Sequence, residues 1–119
     1  MSARRLMAAF AALAVLVGIG ASSVLAARSQ TQATVRVSAL DTLKFTLSTK
    51  RAKHGTVSFM VTNKGSIKHD FWIAGKKTRL LAHNKSQTLT VTIKKGNNPY
   101  KCTVPGHAAA GMKGIFVGT

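Results

Sequence analysis

The chain has 119 residues, with 18 Lys and Arg against two Asp and no Glu, and a formal charge of +16 at pH 7. That length allows one small domain behind a leader, and the single cysteine excludes a disulfide framework, which needs an even count. With so few acids there is no acid–base pair suited to substrate chemistry, so an enzyme is not expected.

The chain opens like an export signal. Arg4 and Arg5 form a basic start, Leu6 to Ile19 is an almost purely apolar run, and Ser22 to Ala26 supplies small residues for cleavage after Ala26. The expected division is therefore a signal peptide over 1–26 and one domain over 27–119. The alternative is an uncleaved anchor, although the apolar core falls short of the ~20 residues that span a bilayer.

From Ala33 onward the hydrophobic period is two, the mark of strands. Val35 and Val37 alternate with Thr34, Arg36 and Ser38, and Phe45 and Leu47 repeat the pattern. Val57, Phe59 and Val61 share one face of the run Gly55 to Asn63, while Met60 is assigned to the other. Leu89, Val91 and Ile93 alternate with three threonines, and Gly114 to Val117 reads as a final strand. Turn signals separate these runs, among them Asp41-Thr42, Asn63-Lys64-Gly65, His83-Asn84-Lys85 and Gly96-Asn97-Asn98-Pro99. Seven or eight short strands at this spacing predict an all-β sandwich of two sheets. Trp72 is assigned to packing in a corner of the core.

One stretch carries chemistry. Within Tyr100 to Gly114, Cys102, His107 and Met112 follow one another with four residues between each pair. Pro105, Gly106 and Gly111 bend the segment into a loop rather than a helix. An unpaired cysteine in an exported protein is either a buried thiol, an intermolecular bridge or a metal ligand, and the neighbouring His and Met favour the last. A thiolate, an imidazole and a thioether suit copper better than a hard cation. His69 is the available fourth donor, and one Cys with two His and a long axial Met is the arrangement of a blue-copper site. The competing reading of Met112 is core packing near the start of a strand. His54 and His83 lie in basic turns and are expected to be solvated.

The pattern Asn63-x-Gly65-x3-His69-x-Phe71 followed by Tyr100-x-Cys102-x4-His107-x4-Met112 resembles the cupredoxins, in the plastocyanin and azurin branch, over nearly all of the chain after residue 33. The resemblance implies a Greek-key sandwich, one type 1 copper ion held by His69, Cys102, His107 and Met112, and single-electron transfer. It also implies a docking patch of small residues (Pro105, Gly106 and Ala108 to Ala110) around His107. The chain departs from the pattern at Asp70, where many relatives carry Asn to tie the two ligand loops together. Asp70 is expected to accept hydrogen bonds from Thr103 while bringing a negative charge near the metal.

The expected function is that of an exported electron carrier cycling Cu(II) and Cu(I). The alternative is a copper carrier or storage protein that supplies an oxidase. Removing Arg4 and Arg5 from +16 leaves +14, a field that draws acidic redox partners. An anionic membrane or cell-wall surface is a further expected contact. Nucleic acid is not, because the lysines are spread over turns and strand edges without a basic helix or a series of stacking aromatics. A monomer is expected.

Overall fold

Period-two patterning becomes nine strands in a computed structural model of the chain, which describes residues 32–119 together with Gly18 and Gly20. The expected signal peptide, those two glycines aside, lies outside the described residues. The strands are β1 (Ala33–Leu40), β2 (Lys44–Leu47), β3 (Arg51–Ala52), β4 (Gly55–Asn63), β5 (Trp72–Ile73), β6 (Lys76–Lys77), β7 (Ser86–Ile93), β8 (Gly96–Lys101) and β9 (Lys113–Gly118). They form a four-stranded sheet in the order β2-β1-β4-β7 and a five-stranded sheet in the order β3-β9-β8-β5-β6. There is no helix among the described residues. β1 runs parallel to β4, because the chain crosses to the other sheet through β3 before it returns. The all-β sandwich expected from the pattern is thus the observed fold.

The count is nine rather than seven or eight because β3, β5 and β6 are two-residue strands, too short to show a period. β8 also begins where the sequence signals a turn. The buried Asn98 reconciles the two: its side-chain oxygen accepts from the Lys94 N–H at 3.0 Å, and its amide donates to the carbonyls of Lys94, Gly96 and Phe116. The turn is therefore closed by a residue already inside the strand. Pro99 is tolerated there because β5 pairs only with Tyr100 and Lys101, leaving Pro99 a strand neighbour on one side alone.

The inward faces of both sheets meet in one core. Val35, Val37, Val57, Phe59, Val61, Leu89, Val91 and Ile93 come from the four-stranded sheet, and Ile73, Tyr100 and Phe116 from the five-stranded sheet. Phe71 is its hub, with ring centroids 5.2 Å from Phe45, 5.4 Å from Phe59 and 5.6 Å from Tyr100. Edge-to-face and tilted pairs of this kind add about 0.5–1.5 kcal/mol each beyond their buried area. Phe71 lies two residues after His69, and Tyr100 two before Cys102, so the aromatic core anchors both segments that carry the expected ligands. Trp72 is not in a core corner. It is half-buried on the outer face of its sheet, with the Lys101 ammonium 5.3 Å from its ring centre. Met60 is exposed, as its place in the alternation requires.

Candidate metal centre

Cys102, His107, Met112 and His69 come together at one end of the sandwich, on two loops. His69 is held first by its backbone, which exchanges two hydrogen bonds with Leu81: His69 N–H to Leu81 O at 3.2 Å and Leu81 N–H to His69 O at 2.8 Å. The fully buried Asn63 fixes the rest of that loop. Its amide donates to the carbonyls of Ile67 (2.7 Å) and Leu81 (2.8 Å), and its oxygen accepts from the Gly65 N–H (2.8 Å). His69 thus meets the metal site from a loop with little freedom left.

The second loop leaves β8 at Cys102 and enters β9 just after Met112. Its ends are joined by a bond from Cys102 N–H to Met112 O, and Met112 N–H donates to His107 O, both at 3.0 Å. His107 N–H in turn donates to Val104 O at 3.1 Å. Gly106 and Gly111 take φ of 83° and 111°, values that strain a residue with a side chain, and allow the loop to fold over itself. The non-helical loop expected from its Pro and Gly residues is what forms.

The donor atoms converge. His69 Nδ1 and His107 Nδ1 are 3.3 Å apart, Cys102 Sγ and His107 Nδ1 are 3.5 Å apart, and all three lie within 4.8 Å of one another. Ligands about 2.0–2.3 Å from one ion in a trigonal plane stand about 3.5–4 Å from each other, so these three fit a shared ion. His69 and Cys102 are buried, whereas His107 keeps an edge at the surface. Met112 is fully buried beside Cys102 and Ala39 in a small apolar cluster that closes this end of the core. Burial raises the Cys102 thiol above its ordinary range, the nearby Asp70 charge adds to this, and the N–H groups of Asp70 and Val104 pull partly the other way. A cation offsets that cost by taking the thiol's proton's place.

Both acids of the chain are here. Asp70, nearly buried, accepts from the Thr103 N–H at 2.6 Å and from the Thr103 hydroxyl, and so ties the His69 loop to the Cys102 loop. This is the bond expected of it. Asp41 plays a part that the sequence reading missed, since it was taken there as a turn residue only. Its carboxylate accepts from the Ser66 N–H and hydroxyl, both at 2.7 Å, and faces His69 Nε2 at 3.3 Å. The available signal was scarcity: one of only two acids among 18 bases marks a position where the charge matters. His54 and His83 are exposed as expected and are not among the converging donors, each with Nδ1 against a carbonyl, that of Thr119 and that of Gly65 in the His69 loop respectively.

A buried thiolate donor and two imidazoles converging at the loop end of a two-sheet sandwich define a cupredoxin. The chain belongs to the plastocyanin/azurin family of copper binding proteins, which matches residues 24–117. Its fold resembles that of auracyanin from Roseiflexus castenholzii, with a TM-score of 0.63 at 20% identity over 74% of this chain and 98% of that one. It resembles auracyanin A, a "blue" copper protein of Chloroflexus aurantiacus, to a similar degree, with a TM-score of 0.61 at 19% identity over 74% of this chain and 99% of the other. A curated relative, the copper-resistant cuproprotein CopI of Rubrivivax gelatinosus, is 29% identical over an alignment of 113 positions that covers 75% of this chain and 68% of that protein.

Proposed function

We propose that this chain is an exported carrier of single electrons between redox partners, and not an enzyme. His69 Nδ1, Cys102 Sγ, His107 Nδ1 and the Met112 thioether would hold the copper, which would supply the one-electron Cu(II)/Cu(I) couple. The observation that carries the reading is that each ligand's backbone is fastened by bonds that need no metal: His69 through Leu81 and Asn63, Cys102 and His107 through Met112. A frame set in this way does not rearrange with oxidation state, which keeps the barrier to electron transfer low. The half-buried edge of His107, rimmed by Pro105, Gly106 and Ala108 to Ala110, is the exit for the electron.

Kinship with a protein named for copper resistance favours a second reading, a carrier of copper itself. The two part on what happens in the reduced state. An electron carrier keeps its metal through repeated reduction and re-oxidation, even with a modest excess of a Cu(I) chelator, and atomic absorption after each cycle should find the copper content constant. Rapid stripping of the reduced protein, with the metal appearing in an apo-oxidase, would replace electron transfer by delivery.

The partner we propose is an acidic protein. Within the strands, cations are unevenly divided: the four-stranded sheet carries Arg36 and Lys44, whereas the shorter strands of the other sheet carry Arg51, Lys76, Lys77, Lys101 and Lys113. Cross-strand pairing lines up Lys77, Trp72, Lys101 and Lys113 in one row, with Lys101 and Lys113 adjoining Cys102 and Met112. Electron exchange with an acidic partner should slow by about tenfold or more as salt rises past the point where screening reaches ~10 Å. Lys101→Glu with Lys113→Glu should slow it further than Arg36→Glu. A stopped-flow rate indifferent to salt and to these charges would remove the acidic partner from the proposal.

A further inference from the structure

His69 has two ring nitrogens, and the structure gives them different neighbours. Nδ1 faces His107 Nδ1 at 3.3 Å inside the centre, and Nε2 faces the Asp41 carboxylate at 3.3 Å on the far side. A neutral imidazole that offers its Nδ1 lone pair to a metal must carry its proton on Nε2, where only an acceptor is useful. Asp41 is that acceptor, and it comes from a third loop, the turn between β1 and β2, which carries no ligand.

The carboxylate is built into its position. Its Oδ2 accepts from both the N–H and the hydroxyl of Ser66, and its Oδ1 accepts from the Ile67 N–H at 3.1 Å. These donors, the Ser66 N–H foremost, hold it well below the usual carboxylate range and therefore ionised. Gly65 makes the approach feasible, since a Cβ there would fall 2.0 Å from Asp41 Oδ1. Lys64 N–H donates to Ala39 O at 2.9 Å, which brings the His69 loop against the end of β1.

We propose that Asp41 is the positioning residue of this metal centre. It holds His69 in the Nε2–H tautomer with Nδ1 turned inward, and its charge, one ring away from the metal, makes that imidazole a stronger donor to the more highly charged oxidation state. This rests on the copper reading above. A carboxylate behind a metal-bound imidazole sets ring orientation and raises ligand basicity, and losing such a partner costs about 10–100-fold in metal affinity. With Asp70 as the second anion beside the ligands, Asp41 biases the site towards Cu(II).

The test uses two variants and a redox-silent metal. Asp41→Ala is expected to weaken both Zn(II) and Cu(II) binding by about 10–100-fold. Asp41→Asn keeps an acceptor in place without the charge, so it should bind Zn(II) more nearly as the unmutated protein does while its copper potential moves upward. In the metal-free protein, ¹⁵N chemical shifts should show His69 protonated at Nε2, and Asp41→Ala should convert this to a mixture of tautomers. That last measurement needs no metal and stands even if one variant binds none. An unmutated protein that binds neither ion would sink the copper reading alone. Unaltered His69 shifts in a folded Asp41→Ala protein, or unchanged affinities and potential in both variants, would overturn the positioning role.

Discussion

Replacing Cys102 with Ser should abolish the intense visible absorption of the Cu(II)-loaded protein. The colour of a thiolate–copper site comes from charge transfer out of sulfur, and no other sulfur here can supply it, because the Met112 thioether is neutral and a poor donor. A serine hydroxyl stays protonated and hard, so copper retained by His69 and His107 would be colourless or nearly so. The fold should survive: Cys102 is 1% exposed, and the Asp70 and Val104 N–H groups and His107 Nδ1 that face its sulfur would face the serine hydroxyl instead. Far-UV circular dichroism of the metal-free variant checks this, so that loss of colour is not confused with loss of structure. His54→Ala and His83→Ala should both stay coloured, since neither ring is among the donors that converge on the centre. A colourless one-to-one Cu(II) complex of the unmutated protein would end the type 1 assignment.

What could be read from the sequence follows from how local each feature is. β4 and β7 are nine and eight residues long, with one face buried and the other polar, so their alternation stood out. β5 pairs along the edge of β8 and β6 along the edge of β5, and two residues carry no period. The start of β8 was concealed by Asn98, whose turn-forming side chain acts from within the strand. The same contrast holds at the metal centre. Cys102, His107 and Met112 share one loop, so their spacing alone revealed them. His69 stood out only once the Cys102 loop implied a site short of one donor, since only the sheet topology brings it near. Asp41 meets Ser66 and His69 from 25 and 28 positions away, and an Asp in a turn has an ordinary local explanation. Trp72 was misplaced for a related reason: a large aromatic argues for burial, and nothing local tells that its side of the strand is the outer one, shared with Lys101.

Asp70 should prove the link on which the two ligand loops depend. Its carboxylate takes the Thr103 N–H and hydroxyl together, and Thr103 follows Cys102 directly. Hydrogen bonds to a charged group contribute about 1.5–3 kcal/mol each, and Asp70→Ala removes both while leaving the part-buried N–H without a partner. For a domain of this size a loss of about 3 kcal/mol, the low end for the pair, lowers the melting temperature by roughly 10–25 °C, measurable by calorimetry on the metal-free protein. Asp70→Asn separates tether from charge, because the amide oxygen still accepts from the N–H. It should melt within a few degrees of the unmutated protein, yet both variants should raise the copper reduction potential, since each removes an anion that favours Cu(II) over Cu(I). The Ala variant should also lose copper faster, as the Cys102 loop gains freedom relative to His69. If Asp70→Ala melts unchanged, the loops are joined by the aromatic core beneath them instead. If neither variant shifts the potential, the carboxylate is too well screened to act on the metal, and the bias towards Cu(II) falls to Asp41 alone.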